Sequence, residues 1–217
     1  MIKPDFCELW VVRHGQTAAN KNKILQGHLD TDLDASGLLQ AEAVAKRLKN
    51  VTFDAVFSSD LKRARDTAEQ IIKYHPELKL VTHPELRERY FGTLQGKTYS
   101  ELQEKYPDVM ESLKKDEDQL NIPGGESIQE CNQRIAGYMD KTADQYPGKR
   151  ILLITHGGAL QCMFRHAVGI VSPDNLRPFS GNTALNIFRR REKAWQLVLW
   201  NDCSHLETLS REETGLY

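Results

Sequence analysis

Two unbroken apolar runs, Leu9-Trp10-Val11-Val12 and Ile151-Leu152-Leu153-Ile154, each lead directly into a His-Gly turn. A strand with one wet face alternates polar and apolar residues, and these runs do not alternate, so each reads as a strand covered on both sides. That confines the chain to folds in which helices pack against both faces of a sheet. Weaker strand candidates lie at Ala55-Val56-Phe57, Leu80-Val81, Ala184 to Phe188 and Trp195 to Leu199. Helical stripes fall between them. Ser36 precedes Ala41, Val44, Ala45 and Leu48, and Ser59 precedes Leu61, Ala64, Ala68 and Ile71. Ser127 to Glu130 reads as a capping box for a third stripe at Ile128, Cys131, Ile135, Tyr138 and Met139, which Pro147-Gly148 ends. The pattern predicts a three-layer α/β/α sandwich: a mostly parallel central sheet with helices on both faces.

At 217 residues the length falls between one domain and two. The expectation is one domain spanning 1–217, with residues 85–125 as a short excursion over the sheet edge that caps the site. That segment is polar and carries Pro107, a charged stretch at Lys114 to Asp118, and Pro123-Gly124-Gly125. Lys and Arg number 29 against 30 Asp and Glu, for a net charge of -1, so no global basic field exists to hold nucleic acid or an anionic membrane. Any anion site must be local. Cys7, Cys131, Cys162 and Cys203 lie far apart with no C-x-x-C pair, which argues against a zinc knuckle or a disulfide framework and for a reducing compartment. Met1 to Glu8 has no apolar leader core, and no apolar run approaches the roughly 20 residues of a membrane span. A soluble, cytoplasmic protein is expected, with a small molecule as partner. Apolar edges leave a homodimer open.

Four constellations could carry chemistry. Arg13-His14-Gly15 closes the first strand, at the carboxyl end where open α/β sheets bind ligands. A planar guanidinium can hold two phosphate oxygens while a neutral imidazole nitrogen attacks phosphorus. Thr155-His156-Gly157-Gly158 closes the Ile151 strand in the same way, so neighbouring strands would bring two imidazoles together above the sheet. The plainer reading is that His156 bonds a loop carbonyl. Ser58 to Ala64 marks a strand end and a helix start, where Arg63, beside the apolar stripe, could reach a phosphate; a solvated surface arginine is the alternative. Leu86-Arg87-Glu88-Arg89-Tyr90-Phe91-Gly92 sets one acid between two arginines. Glu88 could give a proton to an alkoxide leaving group, or be half of a surface salt bridge. His28, His75, His83, His166 and His205 have no spacing that makes a metal set.

Together, in order, spacing and setting, these four motifs resemble the histidine phosphatase superfamily, also called the phosphoglycerate mutase-like family, across nearly the whole chain. The resemblance implies that His14 becomes phosphohistidine, that Arg13, Arg63 and His156 bind the transferring phosphoryl group, and that Glu88 serves as acid and then base. It implies no metal and no dissociable cofactor. It extends to Thr17 and Asn20 near the phosphate and to Gln26-Gly27 in a loop that meets substrate, although Thr17 and Asn20 could equally be capping or turn residues. Arg89, Tyr90, Lys97 and Tyr99 in the excursion, and Gly157 after the second histidine, are further candidate contacts.

The activity so implied is metal-independent hydrolysis of a small phosphomonoester. A cofactor-dependent phosphoglycerate mutase is the alternative within the family; those mutases resemble longer chains with an inserted arginine pair, which the excursion lacks. A non-catalytic phosphate-binding module is the alternative outside enzymes. Sugar phosphates, phosphoglycerates, phosphoserine, nucleotide monophosphates and a phosphorylated nucleoside of cobalamin synthesis all remain open as substrates.

Overall fold

The computed structural model describes residues 6–115, 122–170, 178–207 and 209. Met1 to Asp5 and the part of the charged stretch beyond Lys115 lie outside these residues. Six strands form one sheet: β1 (Phe6–Arg13), β2 (Ala55–Ser58), β3 (Leu80–Thr82), β4 (Arg150–Thr155), β5 (Leu185–Arg191) and β6 (Ala194–Asp202), in the order β3-β2-β4-β1-β5-β6. The β3-β2, β2-β4 and β4-β1 pairs are parallel, while β5 and β6 add an antiparallel flank. Seven described helices accompany them: α1 (Ala18–Lys21), α2 (Ala35–Leu48), α3 (Lys62–Ile72), α4 (Tyr99–Lys105), α5 (Pro107–Lys115), α6 (Ile128–Gln145) and α7 (Gly157–Val168).

The two apolar runs are the central strands, and successive residues feed opposite layers. Leu9, Val11, Ile151 and Leu153 pack against α6 and α7 through Ile135, Met139, Leu160 and Met163. Val12, Leu152 and Ile154 pack against α2 and α3 through Val44, Leu48, Ala68 and Ile71. Each fully buried aliphatic side chain stabilises the fold by about 1.5–3 kcal/mol, so the non-alternating runs hold both layers to the sheet. Leu94, Leu102, Met110, Leu113 and Ile122 of the excursion form a smaller apolar cluster with Leu25 of the loop after α1, and an isolated bridge between Ile24 and Thr98 ties the two together.

Two of the predicted caps are displaced. Helix α2 is capped by Asp34, whose Oδ1 accepts the Gly37 amide at 2.8 Å, and Ser36 lies inside the first turn. Ser59 does not cap α3, which starts at Lys62 after Leu61. It extends the sheet instead, its amide bonding the Ile154 carbonyl at 2.9 Å. The Ser127–Glu130 capping box forms on α6 as read, and that helix ends at Gln145, just before Pro147-Gly148. Strand β5 runs on into the charged residues Arg189–Arg191 because β1 pairs with it from Phe6 to Val12.

One contact sets how the nucleus of the site meets α2. A Cβ on Gly37 would lie 2.0 Å from the Gln16 carbonyl oxygen, and one on Gly15 would lie 2.6 Å from the Gly37 carbonyl oxygen. Backbone meets backbone here, with no flexible side chain to yield. Gly37→Ala should therefore lower unfolding stability by about 1–3 kcal/mol in a denaturant titration; a stability equal to that of the parent protein would show that the loop after β1 moves freely.

Candidate active site

The register of β1 on β4 aligns Arg13 with Thr155, and the His14 amide continues the ladder to the Thr155 carbonyl at 2.9 Å. His14 and His156 therefore leave adjacent strand ends side by side, with ring centroids 5.1 Å apart, and both are buried. His14 Nδ1 lies 2.7 Å from the Gly15 carbonyl oxygen. A carbonyl only accepts, so Nδ1 carries the proton and Nε2 keeps its lone pair. The Arg63 Nε–H points at that lone pair from 3.3 Å. Arg63 is itself 1% exposed, on the first turn of α3, with its two terminal nitrogens donating to the carbonyls of Leu29 and Gly27 at 2.8 Å.

His156 is fixed in the same manner. Its Nε2 is 2.8 Å from the Ser59 hydroxyl, and that hydroxyl oxygen already accepts the Leu61 amide. With the hydroxyl donating to Nε2, the hydrogen of His156 lies on Nδ1. His156 Nδ1 and Arg13 Nε are both buried and have no hydrogen-bond partner in the structure. A terminal nitrogen of Arg13 donates to the Ser180 carbonyl. Two unpaired buried donors beside an imidazole lone pair carry a desolvation cost that an anion would relieve.

Burial, with Arg63 and then Arg13 nearby, holds the His14 pKa well below its ordinary value. His156 is held down likewise by burial, Arg63, His14 and Arg13. Arg63 is lowered to about 10 by burial and stays a cation at neutral pH. Glu88 faces these groups with both oxygens engaged, Oε1 accepting the Arg89 amide and Oε2 the Gly158 amide, each at 2.9 Å. A Cβ on Gly158 would stand 2.3 Å from Glu88 Oε1, and one on Gly157 would stand 3.5 Å from Arg13 Nε. Gly158 thus lets the Glu88 carboxylate lie against the start of α7, while Gly157 leaves ordinary contact distance to the Arg13 guanidinium.

Except for His156, which lies fully buried behind the wall, these groups line a cleft of about 490 Å³. Arg13, His14, Arg63 and Glu88 reach its wall, as do Asn20, Gln26, Gly27, Arg89, Tyr99 and Gly157. Thr17 stays behind the wall, fully buried, capping α1 in a reciprocal box with Asn20 and contacting Gln26 Oε1 at 3.1 Å. Tyr90 and Lys97 lie off the wall. Tyr90 stacks on His28 with ring centroids 4.7 Å apart, and the Lys97 carbonyl accepts the Leu25 amide. Among the described residues no group of three His, Cys, Asp or Glu is arranged to hold a metal, and no helix is long and apolar enough to cross a membrane.

Sequence reasoning missed Ser59, Gln161 and the Ser180-Gly181-Asn182 turn. Asn182 Nδ2 donates to the His14 carbonyl at 3.0 Å, so this turn supports the nucleus. A Ser-Gly-Asn cluster reads as a turn in any sequence. Its place beside His14 follows only from the antiparallel pairing of Val12 with Leu185.

The two depressed imidazoles tie stability to pH. In the unfolded chain they take up protons near pH 6.5, whereas the folded chain resists protonation until well below that. The unfolded state therefore binds more protons as pH falls through this window, and stability falls with it, by up to about 1.4 kcal/mol per pH unit for each histidine. Denaturant unfolding followed between about pH 7 and pH 5 should show a slope that His156→Gln reduces; an unchanged slope would mean that His156 is protonated in the folded protein.

A family model described as the histidine phosphatase superfamily (branch 1) matches residues 9–203. Phosphoglycerate mutase-like protein 4 of Arabidopsis thaliana is 35% identical over 220 residues, covering 97% of this chain and 92% of the relative. A metal-independent phosphoserine phosphatase of Arabidopsis thaliana is also 35% identical, over 218 residues, covering 99% of this chain and 89% of the relative. Among solved structures, phosphoserine phosphatase from Entamoeba histolytica in complex with 3-phosphoglyceric acid superposes with a TM-score of 0.81 at 26% identity, covering 92% of this chain and 99% of that one. With a match of this extent, the chain belongs to branch 1 of the histidine phosphatase superfamily.

Proposed function

We propose that the protein is a metal-independent phosphatase that transfers the phosphoryl group of a small phosphomonoester to His14 Nε2 and then to water. The observation that carries this reading is the pairing of an outward lone pair on His14 Nε2 with two buried, unpartnered donors, Arg13 Nε and His156 Nδ1. In the first step Nε2 attacks phosphorus in line, the N–P bond forms and the bond to the leaving oxygen breaks. Arg13, Arg63 and His156 Nδ1 take the charge on the equatorial oxygens, so positioning and electrostatics supply most of the rate. Glu88, aimed by the Arg89 and Gly158 amides, gives its proton to the departing alkoxide. In the second step Glu88 removes a proton from water, the water oxygen attacks phosphorus, and the N–P bond breaks to return neutral His14. Asn20, Gln26, Gly27, Arg89, Tyr99 and Gly157 meet the substrate; Thr17 acts through Asn20 and Gln26.

Metal independence is in keeping with the similarity to the metal-independent phosphoserine phosphatase of Arabidopsis thaliana. Hydrolysis is preferred to mutase activity because Arg89 alone of the excursion's two arginines reaches the cleft wall. Arg87 pairs with Asp60 at 2.5 Å, and Arg89 Nε donates to the Glu126 carbonyl at 2.9 Å. No arginine pair is thereby spared for a second acidic group of a mutase substrate.

Phosphate release from a panel of small phosphomonoesters, measured with chelator present, should persist in the parent protein and drop about 10³-fold or more in His14→Ala. Release that needs an added divalent ion would overturn the metal-independent reading. Phosphoryl exchange between phosphoglycerates without release would establish the mutase, and phosphate binding without either reaction would establish a binding module. For Glu88→Gln, kcat should fall about 10²–10⁴-fold with KM little changed. Full activity in that variant would remove Glu88 from the proton transfers.

A further inference from the structure

Two of the four cysteines meet where the sequence keeps them far apart. Cys131, in the first turn of α6, and Cys162, in the middle of α7, bring their sulfurs to 3.6 Å, and both side chains are buried. Each sulfur has its own arginine: Arg134 Nη2 lies 3.5 Å from Cys131 Sγ, and Arg165 Nη2 lies 3.6 Å from Cys162 Sγ. Cys131 also lines the cleft, which places the pair directly behind its wall.

We propose that Cys131 and Cys162 are a reversible oxidation site, a dithiol that a hydroperoxide converts to an intramolecular disulfide. One sulfur gives two electrons to the peroxide O–O bond, becoming a sulfenic acid as that bond breaks. The second thiol then attacks this sulfur, the S–S bond forms, and the sulfenic oxygen leaves as water. The sum is two thiols and one hydroperoxide in, and one disulfide, one alcohol or water, and one water out. Closing the bond to about 2.05 Å draws the sulfurs together by about 1.5 Å, a small adjustment between packed helices.

The environment separates this pair from the other two cysteines. Burial pushes the thiols of Cys7 and Cys203 up to about 11, which leaves them inert. Cys162 instead lies below the ordinary thiol range, because the hydrogen bond it shares with Cys131 and the neighbouring Arg165 outweigh burial. Cys131 rises well above that range through the same hydrogen bond and its own burial.

The dithiol also sits behind the carboxyl group of the cleft. Arg134 bonds the carbonyls of Glu85, Arg87 and Glu88, and the start of α7 holds Glu88 Oε2 through the Gly158 amide. Drawing α6 toward α7 shifts both supports of Glu88 at once. That consequence for turnover rests on the phosphatase reading, whereas the disulfide itself does not.

The test is peroxide treatment of the purified full chain, followed by peptide mass mapping without reductant. The expected product is a cross-linked pair of peptides bearing Cys131 and Cys162, lighter by two hydrogen atoms and restored by dithiothreitol, with Cys7 and Cys203 still reduced. Cys162→Ser should keep basal phosphate release and lose the cross-link. In the parent protein, phosphate release should fall about tenfold or more as the cross-link accumulates and recover on reduction. Thiols at Cys131 and Cys162 that stay reduced while Cys7 or Cys203 oxidises would overturn the proposal. A cross-link that forms with turnover unchanged would overturn its link to Glu88. If no phosphomonoester is turned over at all, the mass map still decides the dithiol.

Discussion

The parallel pairing of β1 with β4, in a register that sets Arg13 opposite Thr155, is the constraint from which the site follows. A one-residue slip would send the side chains of one strand to the opposite face. Leu9 and Val11 would then leave the α6–α7 layer, and the imidazole of His14 would leave His156. Hydrophobic layering and the meeting of the two histidines are enforced by the same hydrogen bonds. The loop is then held by the backbone of Gly37 on α2 and by the side-chain amide of Asn182.

Within that frame the site is built from charges kept out of water. Arg63 has its guanidinium held by the carbonyls of Gly27 and Leu29, and Arg13 leans on the Ser180 carbonyl and the start of α7. Burial, reinforced by the Arg63 and Arg13 cations, keeps both imidazoles neutral, and each is held by a fixed neighbour: the Gly15 carbonyl for His14 and the Ser59 hydroxyl for His156. The result is one lone pair and a set of donors, with little reorganisation left for the moment an anion arrives. Helix α7 contributes through Gly158, which admits the Glu88 carboxylate at a point where any side chain would crowd it.

The second layer, α6 and α7, carries more than packing. Arg134 on α6 binds the Glu126 carboxylate through two nitrogens at 2.7 Å while its remaining donors grip the backbone around Glu88. The Cys131–Cys162 contact lies at the seam between this clamp and the start of α7. The carboxyl group of the cleft is therefore coupled to how these two helices sit against each other.

Periodicity and motif order determined much by themselves. The unbroken Leu9–Val12 and Ile151–Ile154 runs can satisfy their apolar side chains only inside a two-sided sandwich, and a His-Gly turn at the end of each marks the carboxyl edge of the sheet. Arg13, His14, Arg63, Glu88 and His156 were legible because their types and spacings repeat a family pattern that local sequence carries. Cap positions were less so: Ser36 and Ser59 are good caps by type, but Asp34 reaches the Gly37 amide and Ser59 is engaged by His156. What only the tertiary structure decided depends on side chains distant in the chain. Asn182 against His14, Tyr90 turned onto His28, Thr17 behind the wall and Cys131 beside Cys162 all arise from long-range pairing. Hydrogen bonds and packing of that kind form between residues whose separation in sequence holds no information about their distance, until strand register and helix packing bring them into contact.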